Sequence, residues 1–319
     1  MAIKINRKSL RKNRTRKRMR GGTNTSENMC IYVSSRGILK SCYVHNSNPT
    51  SSTTTLDGID LSKIKENSTV YITGSAVSEF AKHLDEIQNK FILVSGDCDE
   101  TIPADIFSDD EFNKFINSEK IIHWYSQNCT KTHPKLSIIP IGLDYHSTGD
   151  RDKNMSPVQE EQMLNDIIKL SKPFYEREKK CYSNFYLNKD KPYKYYYNRR
   201  NAVDKVPKEL VTYEMERVTK NISFTNQIKY AFVISPHGNG LDCHRTWEAL
   251  CLGCIPIVKK SPIDRLYTDL PVLIINNWSD LSQDLLNNTI SDFKDRKFNY
   301  EKLKLKYWMD KIKTGNPIV

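Results

Sequence analysis

The stretch Tyr230-Ala-Phe-Val-Ile-Ser-Pro-His-Gly-Asn-Gly-Leu-Asp-Cys-His-Arg-Thr-Trp-Glu-Ala-Leu-Cys-Leu-Gly-Cys-Ile-Pro-Ile-Val258 decides the fold. Its apolar opening, Tyr230–Ser235, predicts a strand. Pro236, Gly238, Asn239 and Gly240 predict a turn. A helix follows over 242–252, with Asp242 as N-cap and Gly253 as stop. Ile255–Val258 predicts a second strand. This strand-loop-helix-strand order belongs to a parallel sheet, and the loop and helix start offer backbone N–H groups to a phosphate.

Projected at 3.6 residues per turn, Cys243, Trp247, Leu250 and Cys251 share a face that should pack on the sheet. Arg245 and Glu248 fall on the opposite side. Arg245 offers a planar fork to a diphosphate, and Glu248, one turn deeper, offers a carboxylate to two ribose hydroxyls. The plainer alternative is a surface ion pair worth about 0.2–0.5 kcal/mol. Spacing alone leaves both open.

Working outward, the first half alternates strand and helix signals. Ile31–Ser34, Thr69–Thr73, Phe91–Ser95, Ile121–Tyr125 and Ser137–Ile141 read as strands, with helical patterns at Ser75–Gln88 and Asp109–Asn117. The second half repeats the pattern with a helix near Gln159–Leu170, strands at Ser183–Leu187 and Val272–Ile275, and a last amphipathic helix from Tyr300 to Ile312. The fold class is α/β, with two Rossmann-like domains. The expected division is a tail over 1–24, a domain over 25–150 and a second over 151–319.

The net charge of +11 is a local property. Residues 1–22 hold ten Lys and Arg and no acid, leaving 39 basic against 38 acidic residues, a net of +1. Such a segment reads as a disordered basic tail with a weak, salt-sensitive attraction to polyanions. A nucleic-acid-binding protein working through this tail is one alternative function. No apolar run long enough to span a bilayer and no apolar segment behind the basic residues is present, so an intracellular location without a signal peptide is expected. The eight scattered cysteines read as free thiols, and Cys251-Leu-Gly-Cys254 as packing rather than zinc binding.

Several residues stand at expected strand ends, where open α/β sheets gather ligands. Asp97 follows Phe91–Ser95, and Asp144 follows Ser137–Ile141 with His146 two residues on. With His123, inside a strand, they are candidate general bases. Taken singly, each also fits a structural role. Asp97-Cys98-Asp99 has Asp-x-Asp form, and a second alternative is a metal-dependent transferase of GT-A type that binds a divalent ion there. Tyr193–Arg200 mixes aromatics with bases and reads as a tyrosine-rich strand or interdomain surface.

From Ser235 to Val258 the chain resembles the C-terminal half of exostosin-like glycosyltransferases. Ser235-Pro precedes a helix with Arg245 and Glu248 three apart, then Ala249 and Gly253-Cys-Ile-Pro. The resemblance implies a GT-B fold and transfer of a sugar from a nucleotide-sugar to an acceptor, inverting and metal-independent, with no cofactor besides the co-substrate. It implies donor binding by Ser235, His237, Gly238, Asn239, Gly240, His244, Arg245 and Glu248, with phosphates at Arg245 and ribose at Glu248. The first half resembles the family only in its α/β alternation, and an inactive transferase-like module is a further alternative.

Overall fold

A computed structural model describes residues 26–146, 155–185, 187, 194–214 and 216–318. The basic segment 1–22 and the expected boundary at residue 150 lie outside them.

Two parallel sheets organise the chain. The first has strands in the order β1 (Ser68–Thr73), β2 (Phe91–Gly96), β3 (Ile121–Ser126) and β4 (Leu136–Ile138). Around it lie α1 (Ser35–Ser41), α2 (Val77–Lys82) and α3 (Asp109–Ile116). Every residue of β2 is buried, as a central parallel strand covered on both faces requires.

The second sheet takes β5 (Glu178–Ser183), β6 (Val211–Tyr213), β7 (Tyr230–Ile234), β8 (Ile255–Lys259) and β9 (Leu273–Ile275) in the order β6-β5-β7-β8-β9. Its helices are α4 (Pro157–Leu170), α5 (Tyr196–Lys205), α6 (Lys220–Gln227), α7 (His244–Cys251) and α8 (Gln283–Lys294). Alternate residues of β7 serve different cores. Phe232 and Ile234 join a cluster with Trp278 and Leu286, while Val233 joins the larger cluster that also holds the first sheet. The last helix, α9 (Leu305–Thr314), returns to the first sheet, where it packs on α1 and β2. Its Trp308 and Ile312 are buried, and Leu305 N donates to Ile31 O at 2.8 Å.

The helix expected over Ser75–Gln88 is shortened to Val77–Lys82 between 3-10 turns, the last helix begins at Leu305, and three other expected elements differ in kind or place. Ile31–Ser34 is no strand; Tyr32 and Ser34 form only isolated bridges. The amides of Ile31 and Tyr32 donate to the Glu161 carboxylate at 2.9 Å each, and Ser34 caps α1 by accepting from Gly37 N. The strand placed at Ser183–Leu187 runs instead over Glu178–Ser183. Its opening Glu-Lys-Lys is exposed, so only Cys181–Ser183 carries a buried signal. The basic, tyrosine-rich stretch enters α5 rather than a strand.

His123 also falls away as a candidate base. It is 2% exposed in β3, shares a hydrogen bond with Ser137 Oγ at 2.8 Å and packs beside Tyr125. Burial pulls its imidazole down to about 4, with nearby His133 and Lys135 adding to the effect. The folded protein therefore holds His123 neutral. The stability this contributes is complete above the ordinary value of 6.5 and is lost as pH falls toward 4. Urea titrations at pH 7 and pH 5 should differ by about 2 kcal/mol from this residue, and His123→Asn should remove that share. An unchanged pH slope in the variant would refute the assignment.

Candidate functional site

A cavity of about 420 Å³ opens where the carboxyl ends of the two sheets meet. The first sheet supplies Asp97, Cys98 and Asp99 behind β2, and Ile141, Asp144 and His146 behind β4. The second supplies Asn184 behind β5 and Gly238–Gly240 behind β7. Helix α7 starts at its edge, with Cys243, His244, Arg245 and Glu248 in the lining. This is the position at which open α/β sheets collect ligands.

The sequence of α7 explains its placement. Trp247 and Leu250 are buried in the large core, and Gly253 stops the helix with φ +71°. Arg245 and Glu248 are left half-buried toward the cavity. The N-cap is Cys243 rather than Asp242, and no side chain caps the first turn. The helix start meets the cavity with no side-chain cap, while Thr246 N turns back to Cys243 O at 3.0 Å.

Asp242 is structural. Its carboxylate is 3% exposed and accepts from Cys243 N, Trp247 Nε1, Tyr267 Oη and Ile141 N, all at 2.8–3.0 Å. Burial pushes the carboxyl up, and these bonds oppose the shift. Because Ile141 follows β4, this one side chain ties α7 to the first sheet.

The loop before α7 is held from both sides. A Cβ at Gly238 would stand 2.8 Å from Arg199 Nη2, and one at Gly240 2.8 Å from Asn128 Nδ2, so either substitution would push these side chains aside. Asn128 Oδ1 accepts from Asp242 N at 2.9 Å. Ser235 and His237 are buried below the loop, outside the lining. Ser235 bonds Thr246 Oγ1 at 2.8 Å, and His237 Nδ1 bonds Leu241 O at 2.8 Å. They shape the loop.

Two guanidinium groups face the cavity. Arg245 Nε donates to Asn184 Oδ1 at 2.7 Å, and its head lies 5.6 Å from the centre of the Phe185 ring. Arg199 is 8% exposed and donates from Nε to His237 O at 3.2 Å. Glu248 stands one turn beyond Arg245. Burial pushes its carboxyl up, opposed by Lys220, His244 and Arg245.

The opposite wall is acidic. Asp97 is 4% exposed, has φ +52°, accepts from Ser51 Oγ at 2.8 Å and lies 3.4 Å from Arg36 Nε. Asp99 is exposed at the cavity and reaches the loop residue Asn239; partial desolvation pushes its carboxyl up and that bond pulls it back. His146 sits between carboxylates, with Nδ1 3.4 Å from Asp144 Oδ1 and Nε2 3.6 Å from Asp97 Oδ1. Burial lowers the His146 imidazole, while Asp144 and Asp97 oppose the effect. The lining holds five carboxylates, Asp97, Asp99, Asp144, Asp242 and Glu248, and two guanidiniums, Arg199 and Arg245, with Arg36 beside Asp97 and Lys220 acting on Asp144 and Glu248.

No family model matches the chain, and no curated protein matches it. Among solved structures it is similar to the crystal structure of an alpha,alpha-trehalose-phosphate synthase (UDP-forming) from Burkholderia vietnamiensis. The identity is 8% and the TM-score 0.36, over 80% of this chain and 72% of that one. Among the described residues, no helix is long and apolar enough to cross a membrane.

The structure thus gathers Asp97, Asp99, Asp144, Gly238–Gly240, His244, Arg245 and Glu248 in one cavity, and leaves His123, Ser235 and His237 out of its lining. Sequence reasoning missed Arg199, Asn184 and Ser51. The signal for Arg199 lay in the basic, tyrosine-rich stretch. Asn184 was hidden because its strand was placed too late, so that it did not read as a strand-end residue.

Proposed function

We propose that this chain is a GT-B-like glycosyltransferase that takes a sugar from a nucleotide-sugar. The observation that carries the reading is the uncapped start of α7, opening beside Arg199 and Arg245 into a cavity between two parallel sheets. Backbone N–H groups at a helix N-terminus and two guanidiniums make a site for a diphosphate. Glu248, a turn deeper, takes the ribose hydroxyls. The exostosin-like pattern of Ser235–Val258 supports the same placement.

The acceptor then enters from the first-sheet side. Its hydroxyl oxygen bonds to the anomeric carbon, the carbon–oxygen bond to the diphosphate breaks, and the nucleoside diphosphate leaves. The acceptor proton passes to a carboxylate of that wall. Asp99 suits this task because it is the most exposed carboxylate of that wall, whereas Asp97 is buried, engaged by Ser51 and beside Arg36. A single displacement of this kind inverts the anomeric centre.

A thermal-shift screen against nucleoside diphosphates and their sugars tests the donor site. A true donor product at a hundredfold excess over its Kd should raise Tm by roughly 4 °C. No shift with any purine or pyrimidine diphosphate would overturn the reading.

A further inference from the structure

We propose that Asp144, His146 and His244 form a binding site for a first-row transition-metal dication in the cavity wall. One donor atom from each lies within 4.8 Å of the other two. An ion held about 2.0–2.2 Å from each donor needs them about 3.4 Å apart, so side-chain rotation must draw the donors in by up to about 1.4 Å. Two imidazoles and one carboxylate favour a transition ion over magnesium or calcium, which prefer oxygen donors.

The orientation of the imidazoles is an independent observation. His244 Nδ1 donates to Gly142 O at 2.8 Å, which leaves Nε2 with the lone pair that a metal needs. That carbonyl is fixed: Gly142 has φ +67°, and a Cβ there would stand 2.1 Å from Val33 O. His146 N bonds Asp144 Oδ1 at 3.2 Å, so the Asp-x-His turn is closed on itself. His146 Nε2 faces Asp97, leaving Nδ1, beside Asp144, for the ion. An imidazole braced by a carbonyl or a carboxylate on its far nitrogen is the usual outer support of a metal ligand.

Of the five lining carboxylates, Asp97 is offset by Arg36, while Lys220 acts on both Asp144 and Glu248, so the ion would share the Asp144 carboxylate with Lys220, next to the first residue of α7. If the donor site is as proposed, the ion sits where it can offset the departing diphosphate. That role rests on the proposed function; the binding of the ion does not. Neither Asp97 nor Asp99 is a ligand in this arrangement.

The test is calorimetry of Zn²⁺ and Mn²⁺ into the untagged full chain after removal of metals by a chelator. One ion per chain should bind, and Asp144→Asn, His146→Ala and His244→Ala should each weaken it at least roughly tenfold. His83→Ala, which removes a half-buried histidine beside Glu79 and Glu86, should leave the affinity unchanged. Circular dichroism checks each variant's fold. If a variant fails to fold, loss of the free Mn²⁺ electron-spin-resonance signal on the wild-type chain, with His146→Gln as the second variant, decides the matter. No binding of either ion, or equal affinity in the folded ligand variants, overturns the site. Zn²⁺ binding without nucleoside diphosphate binding would sink the donor reading and leave the metal site standing.

Discussion

Arg245→Ala is expected to weaken binding of a nucleoside diphosphate by roughly 30- to 150-fold, or about 2–3 kcal/mol, the range for a charge-assisted hydrogen bond in a partly desolvated site. The guanidinium is held in advance of any ligand. Asn184 fixes its Nε and Phe185 supports its plane, so little side-chain entropy is lost on binding. Arg245→Lys should recover only part of the loss, because an ammonium can use neither the fork nor the ring in the same way. Glu248→Ala should cost less, since ribose hydroxyls form neutral partners. Calorimetry with the three variants separates these cases. Equal affinity in Arg245→Ala and wild type, with the fold intact, would remove α7 from the donor site.

Asp242→Ala is expected to destabilise the fold by about 3–5 kcal/mol, measured by urea unfolding at neutral pH. Four donors lose their acceptor together: two backbone amides, the Trp247 indole and the Tyr267 hydroxyl. Each buried donor left without a partner costs about 1–3 kcal/mol, and relaxation or water recovers part of the sum. Asp242→Asn should be nearly as damaging, because its NH₂ would point at groups that also donate. Trp247→Phe removes one donor and keeps much of the volume, so it should cost far less. If Asp242→Ala lost under 1 kcal/mol, the buried carboxylate would not be what ties α7 to the first sheet.

Asp242 also shows why the sequence was legible in part. Its place before an apolar periodic run is that of an N-cap, and the helix does begin within two residues of it. What decided its role was distance in space. Tyr267 and Ile141 come from remote parts of the chain, and no local pattern announces them. The parallel strands β1, β2, β3, β7 and β8 could be read because each is a nearly continuous apolar run of the kind a two-sided sheet needs. β5 escaped because half of it is charged and exposed. In the candidate site, glycines and strand-end acids were visible from local spacing. Arg199 was not, since its reach into the cavity depends on how α5 lies beneath the Gly238 loop. The pairing of Asp144 and His146 with His244 likewise depends on two sheets meeting.

The return of α9 to the first sheet carries a consequence for synthesis on the ribosome. Residues 305–314 cover α1 and β2, yet they are translated after the nine strands found among the described residues. Until they emerge, the apolar surface that Trp308 and Ile312 will shield stands open to water, and the first half cannot close its core as it is made. The nascent chain therefore presents a sticky intermediate for most of its elongation. Pulse-labelled ribosome-bound chains ending before residue 300 should be trapped by a chaperone that binds exposed apolar segments, and those extending past residue 314 by enough length to clear the exit tunnel should be released from it.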